Sequence, residues 1–174
     1  MSGDDDGLDL ARTRDLQGRL RHPWIRRALL ALLALVPLLG LAGALGQKTV
    51  TRSAAAARAQ LTLNAPSVLR GGLMWPARIN VRARGTIKFP RLILGAGYVN
   101  GMQLNTIEPS PTGEASRGPR LVLSYDQLDP GDELVVYLQF QTDPTTTGRQ
   151  DATVALDDAT RPLASIAHTI TVLP

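Results

Sequence analysis

Cysteine is absent from this chain of 174 residues, and histidine and aromatic side chains are scarce. The lack of cysteine excludes disulfides, thiol catalysis and thiolate metal ligands. The two histidines, His22 and His168, are too few for a multi-histidine metal site within one chain. We therefore expect neither a bound metal nor any other cofactor.

Lysine is also rare, since all the basic residues except Lys48 and Lys88 are arginine. Together with abundant Ala, Leu, Gly and Pro, this bias is typical of a GC-rich bacterial genome. The formal net charge of +4 is too small to indicate a nucleic-acid-binding protein. The chain is long enough for one domain with its own core and too short for two ordinary ones.

One long stretch, Ala28 to Gly46, carries no charge and consists mainly of Leu and Ala. About 20 apolar helical residues cross the ~30 Å hydrocarbon core of a bilayer, so residues 28–46 are predicted to form a transmembrane helix. The alternative is a cleaved signal peptide, because Ala42-Gly43-Ala44 is a pattern that a signal peptidase could accept. The apolar core is longer than that of an ordinary signal peptide, which favours an uncleaved anchor.

The basic residues on either side of the apolar stretch predict its orientation. The side richer in Lys and Arg usually stays in the cytoplasm. We therefore expect a single-pass protein of the bacterial cytoplasmic membrane, with its N-terminus inside and its C-terminal domain outside. The basic residues near the stretch are Arg14, Arg19, Arg21, Arg26 and Arg27 before it, and Lys48, Arg52 and Arg58 after it.

Two groups of residues are candidates for contacts in and near the bilayer. Proline can kink the predicted helix, and small residues let another helix approach closely, although Ala and Gly are common throughout this chain. Arginine and tryptophan before the stretch fit the membrane interface, in a tail over residues 1–27 that is predicted to be cytoplasmic and largely disordered. The helix-contact candidates are Pro37, Gly40, Gly43, Ala44 and Gly46, and the interface candidates are Arg19, Arg21, Trp24, Arg26 and Arg27.

The rest of the chain is predicted to be a stalk over residues 47–60 followed by a β-domain over residues 61–174. From Leu61 onward, apolar and polar residues alternate in short runs separated by turn residues, which is a strand signal. In the longest run, Leu134 to Phe140 place every second side chain on one face. Seven or eight such strands predict an all-β, antiparallel, Ig-like β-sandwich, with a small barrel as the alternative.

Residues 128–143 carry a family resemblance. Leu128-Asp-Pro-Gly-Asp-Glu-Leu134 precedes a long alternating strand that ends at Asp143, and a threonine-rich turn follows. This pattern resembles the late hairpin of Ig-like "conserved repeat" domains of bacterial cell-surface proteins, and residues 152–173 fit it loosely. The resemblance implies a fold and brings no functional residues with it.

The clearest candidate for function is a basic face. Arg78, Arg82 and Arg84 share one side of a predicted strand, and Lys88 and Arg91 follow closely. Exposed arginines can bind an acidic partner, anionic headgroups or wall polymers. The alternative is a merely solvated strand face.

Signals for catalysis or metal binding are weak. Ser165 and His168 are three residues apart, which places them on opposite faces of a strand. The acidic residues near Asp129 and Asp132 lack the spacing of a calcium loop. No nucleophile elbow or phosphate-binding loop is present in the sequence. We therefore expect no catalytic residues and no enzyme activity.

These observations predict a non-catalytic, membrane-anchored accessory or scaffold subunit of a membrane or cell-envelope assembly. Its partners would be the lipid bilayer and another membrane protein. One alternative is a module that binds anionic lipid or wall polymer without a protein partner, and a second is a secreted enzyme of unknown type. Nucleic acid is not an expected partner.

The charge asymmetry makes the topology testable. A reporter enzyme that works only after export, fused behind Pro174, should be active, because the more basic flank stays inside. The matched control is a reporter that works only in the cytoplasm, fused at the same point. Activity of the cytoplasmic reporter would contradict the predicted orientation.

Overall fold

The computed structural model describes residues 23–41 and 48–174. The chain divides into two compact units, Met1–Gly46 and Gln47–Pro174.

The first unit contains one helix, α1 (Pro23–Leu41), in its described part. Proline suits the first turn of a helix because its missing N–H would have no intrahelical partner there. The helix begins before the predicted boundary at residue 28, so it includes Arg26 and Arg27. Within the described residues, no helix meets the length and apolarity required of a membrane span.

Some of the residues predicted to make membrane contacts lie among the described residues, and others do not. Trp24 lies in the first turn of α1, Pro37 lies inside it, and a Cβ added at Gly40 would meet no atom within 4 Å. Arg19, Arg21, Gly43, Ala44 and Gly46 lie outside the described residues, as does the tail over residues 1–22.

The second unit is built almost entirely from β-strands. Thirteen strands are found between residues 48 and 174, whereas seven or eight were predicted, all of them from residue 61 onward. The difference arises because several strands are short or have no buried face, so their alternation is weak. The strands are β1 (Thr49–Ala55), β2 (Ala59–Pro66), β3 (Val68–Arg70), β4 (Met74–Ala83), β5 (Pro90–Leu94), β6 (Met102–Glu108), β7 (Gly113–Arg117), β8 (Arg120–Ser124), β9 (Glu133–Thr142), β10 (Gly148–Asp151), β11 (Val154–Asp158), β12 (Arg161–Ile166) and β13 (Thr169–Leu173).

These strands form three sheets. The first sheet has the order β1-β2-β4-β9-β6, the second sheet β12-β11-β5-β8-β7, and the third sheet β10-β13-β3. All strand pairs are antiparallel except β13 with β3, which is parallel. Side chains from all three sheets share one hydrophobic core. The predicted β-sandwich is thus confirmed as a mostly antiparallel β-fold, with one parallel pair as a correction.

The stalk predicted over residues 47–60 is wrong for most of its length. Thr49–Ala55 is strand β1, which pairs with β2 along its whole length, and β2 already begins at Ala59. β1 lies at the edge of the first sheet, and its side chains are mostly exposed. An edge strand with little buried surface needs few large apolar residues. For that reason its Ala-rich, polar sequence resembled a stalk.

The predicted faces of the long strand β9 are confirmed. Val136, Leu138 and Phe140 are buried, whereas Tyr137 and Gln139 are exposed. The strand lies between β4 and β6 in the first sheet.

The turn before β9 has the chemistry that its sequence predicted. The Asp132 N–H donates to the Asp129 carbonyl at 2.9 Å, and the Asp132 carboxylate accepts from the Asp129 N–H at 2.8 Å. Gly131 adopts φ +99°, a conformation that L side chains rarely adopt. The acidic residues here therefore serve the turn.

Three aromatic rings anchor the core behind the first sheet. Trp75 on β4 stacks on Phe140 of β9 with ring centroids 4.7 Å apart, and Tyr98 lies 5.1 Å from Phe140. The Trp75 Nε1–H donates to the Thr142 hydroxyl at 3.1 Å, which satisfies the buried indole. Burial raises the pKa of Tyr98, and the nearby charge of Asp151 raises it further. The ring cluster fixes β4 against β9.

The core face of β9 gives a stability prediction. Leu138→Asp should unfold the unit 48–174, because Leu138 is 2% exposed and an unpaired buried carboxylate is very unfavourable. Gln139→Asp is the matched control, since the neighbouring side chain is exposed and should tolerate the charge. Urea unfolding followed by tryptophan fluorescence measures both. Equal stability of the two variants would contradict the assigned faces.

Candidate functional site

The candidate site lies on the outer face of the first sheet, where β4 presents arginines to solvent. In this strand Ala77, Ile79 and Val81 are buried, and Arg78 and Arg82 are exposed between them. Arg84 follows directly after the strand and is also exposed. Because a strand alternates its side chains between two faces, burial of the apolar set forces the arginines outward. We call Arg78, Arg82 and Arg84 the arginine row.

The arginine row is bordered mainly by polar side chains. The Arg84 guanidinium donates to the Gln60 side-chain oxygen at 3.0 Å. Glu133 stands opposite Arg82 in the register of β4 and β9, and its carboxylate accepts a hydrogen bond from Asn80. Among residues 23–41 and 48–174, the one ion pair within 4.0 Å joins Arg58 and Asp158. The arginine row thus holds positive charge that no carboxylate in the described chain pairs at contact distance.

Arg78 also contacts an aromatic ring. Its guanidinium carbon lies 5.4 Å from the ring centroid of Tyr137, which is its direct partner on β9. That distance is within the range of a cation–π interaction. Tyr137 is 51% exposed, so its ring remains available on the outer face. The pair places a cation beside an accessible aromatic surface.

A shallow groove lies next to this pair. Its volume is about 270 Å³. The groove crosses three strands, because β4, β9 and β6 are neighbours in the first sheet. Apolar and polar groups both line it, and one carboxylate, that of Glu108, is among them. We call it the Tyr137 groove, and its lining residues are Met74, Trp75, Pro76, Thr106, Glu108, Tyr137, Leu138 and Gln139.

Lys88 and Arg91 do not belong to this face, although the sequence grouped them with the arginine row. Lys88 lies in the loop after β4, and Arg91 lies on β5 of the second sheet. The Arg91 guanidinium donates to the Ala159 carbonyl at 3.3 Å. Burial raises the pKa of Asp157, while the charges of Arg117 and Arg91 oppose that rise. Closeness in sequence failed as a guide here because the chain crosses to another sheet between residues 84 and 90.

The remaining candidates do not assemble into a reactive site. Ser165 is exposed on β12, whereas His168 is buried between β12 and β13 with its Nε2 atom 3.0 Å from the Pro66 carbonyl oxygen. Within the described residues, no group of three or more His, Asp and Glu side chains is placed to hold a metal ion.

Sequence reasoning missed the Tyr137 groove. The alternation along β9 already indicated that Tyr137 faces away from the core. The groove itself combines that residue with Met74 and Pro76 from one neighbouring strand and with Thr106 and Glu108 from the other. Only the pairing of β6 with β9 brings Glu108 opposite Tyr137.

Comparison with known proteins yields a likeness of fold only. No protein-family model matches the chain, and no curated protein matches it. Among solved structures it is similar to a non-cellulosomal cohesin from the hyperthermophilic archaeon Archaeoglobus fulgidus. That match has 14% sequence identity and a TM-score of 0.42, and it covers 71% of this chain and 91% of the other. A likeness at this level supports no statement about partners.

The contact between Arg78 and Tyr137 can be measured. In a double-mutant cycle with Arg78→Ser and Tyr137→Ser, we expect a favourable coupling of ~0.5 kcal/mol, as for an exposed cation–π pair. The control cycle pairs Arg84→Ser with Tyr137→Ser and should show none, because Arg84 bonds to Gln60 instead. Urea unfolding of the unit 48–174 supplies the free energies. Equal coupling in both cycles would contradict a specific contact.

Proposed function

We propose that this protein is a non-catalytic, membrane-anchored subunit whose Ig-like β-sandwich binds an acidic partner protein through the arginine row. It would serve as an accessory or scaffold component of a membrane or cell-envelope assembly. The observation that carries the proposal is the arginine row itself, with three exposed guanidinium groups on one sheet face.

The chemistry of the arginine row supports binding over a purely solvated face. Guanidinium groups form strong, directional hydrogen bonds with carboxylates. Arginine and tyrosine are enriched at protein–protein interfaces, and here Arg78 and Tyr137 lie in contact. The polar neighbours Gln60 and Asn80 are neutral, so they do not repel a partner's carboxylates.

Attachment to the membrane is the second part of the proposal. It rests on the uncharged sequence of residues 28–46 and on the small residues Gly40, Gly43, Ala44 and Gly46, which suit a contact with another helix. The excess of arginines before residue 28 supports an N-terminus inside and a sandwich outside the cell.

A second candidate function uses the same arginines. Anionic lipid headgroups and acidic wall polymers also bind guanidinium groups, and neither requires a protein partner. The two functions differ in what is recovered with the protein, which makes them separable by experiment.

Removal of the charges of the arginine row should weaken the proposed binding. We expect that replacing Arg78, Arg82 and Arg84 by Ser reduces recovery of a partner protein in a detergent pull-down while folding is retained. Single exposed substitutions of this kind change stability by less than ~0.5 kcal/mol. The wild-type interaction should also weaken with added salt, since the screening length falls to ~3 Å at 1 M.

The matched control is the triple variant Arg117→Ser, Arg120→Ser and Arg161→Ser. It removes the same charge from exposed positions on strands of the second sheet. Equal losses in both triple variants would mean that net charge matters and the arginine row does not. Recovery of lipid or wall material in place of protein would favour the second candidate function.

A further inference from the structure

We infer that the arginine row and the Tyr137 groove form one binding site for an extended acidic segment of a partner protein, anchored at one end by an apolar side chain. This inference rests on the proposed function and deepens it, because it states the chemistry of the partner segment and at which end of the site its apolar anchor lies.

The two halves of the site lie along one strand. Pro76, Arg78, Asn80 and Arg82 alternate with buried residues, so they share the outer face of β4. At ~3.3 Å per residue, Pro76 and Arg82 are about 20 Å apart, which is the length of six residues of extended chain. An extended segment that lies along β4 can therefore reach the groove and the arginine row together.

The groove end favours an apolar anchor. Met74, Pro76 and the ring of Tyr137 supply apolar surface, and Met74 and Tyr137 are both about half exposed. Large, exposed apolar side chains grouped around a concavity are typical of places where a partner side chain is buried. Trp75 and Leu138 also line the groove and belong to the rigid core, so its floor is already formed.

Charge gives the segment its direction. Glu108 lines the groove and repels a partner carboxylate, whereas at the far end the two cations Arg82 and Arg84 outnumber Glu133, the carboxylate opposite Arg82, and attract one. The anchor is therefore a neutral side chain, and the acidic residues lie beyond it toward Arg84. Arg78 stands at the junction, where it holds the Tyr137 ring and faces the first acidic residue.

The shape of the site favours a protein segment over a bilayer. A bilayer surface is broad, and it takes up apolar side chains that project from a protein. It has no projecting side chain of its own to fill a groove. The Tyr137 groove is a concavity that crosses three strands, and it admits a projecting side chain of a partner. A wall polymer would supply charge for the arginine row but no apolar group for the groove.

Synthetic peptides test the inference directly. The probe Phe-Ser-Glu-Ser-Glu-Ser-Glu places its aromatic ring and its three carboxylates on one face when extended. The reversed sequence covers the opposite chain direction. The two control peptides replace Phe by Ser or all Glu by Lys. Binding to the full-length chain in detergent micelles is measured by fluorescence anisotropy.

We expect at least one of the two directions to bind, and both control peptides to bind more weakly. Tyr137→Ala should weaken the binding about tenfold, which corresponds to ~1.4 kcal/mol. Tyr137→Phe should retain it, since the ring makes the contact. Phe89→Ala is the matched control, because Phe89 is also an exposed aromatic but lies outside the groove, in the loop between β4 and β5.

The outcomes separate this inference from the proposed function. Failure of both peptide directions to bind, or unchanged binding by Tyr137→Ala, would overturn the inference. Equal binding of the peptide without Phe would overturn the groove half and leave the arginine row in place. Undiminished binding by the Arg78, Arg82 and Arg84 triple variant would overturn the arginine half and the proposed function with it.

Discussion

The pairing of β4 with β9 is the interaction on which the rest of the second unit depends. These two long strands lie in the middle of the first sheet and join residue for residue from Met74 with Gln141 to Arg82 with Glu133. Their inner faces supply Trp75, Ile79 and Phe140 to the core. A shift of one residue would turn every buried side chain to solvent and every arginine inward, so burial of the core fixes the outer face as well.

That dependence explains how the outer face, with its arginine row, is held in place without residues dedicated to building it. The outer residues of β4 and β9 are held in place by the buried residues between them, and the indole of Trp75 is tied to Thr142 at 3.1 Å. Arg78 and Tyr137 meet because their strands are in register, and Glu108 faces Tyr137 because β6 continues the same sheet. A rigid sheet lowers the ordering cost of binding, since its side chains are positioned before a partner arrives.

In the described second unit, the acidic and nucleophilic side chains either take part in the fold or lie apart from one another. Acidic side chains near Asp129 and Asp132 close a turn, and Asp158 pairs with Arg58 at 3.4 Å, so these carboxylates already have structural partners. Ser165 and His168 belong to different environments, one exposed and one buried. The guanidinium groups of the arginine row form no ion pair within the described second unit, since Arg84 bonds to the neutral Gln60 and Arg78 contacts the ring of Tyr137.

The sequence by itself determined local properties: the mostly antiparallel β-class, the two faces of β4 and β9, and the turn at Asp129 to Asp132. These follow from alternation and turn chemistry, which act between residues close in the chain. Only the tertiary structure decided that Thr49–Ala55 is an edge strand, that Arg91 joins another sheet, and that Glu108 lines a groove with Tyr137. Strand order and register depend on burying a shared core between residues far apart in sequence, and no local pattern encodes which strands become neighbours.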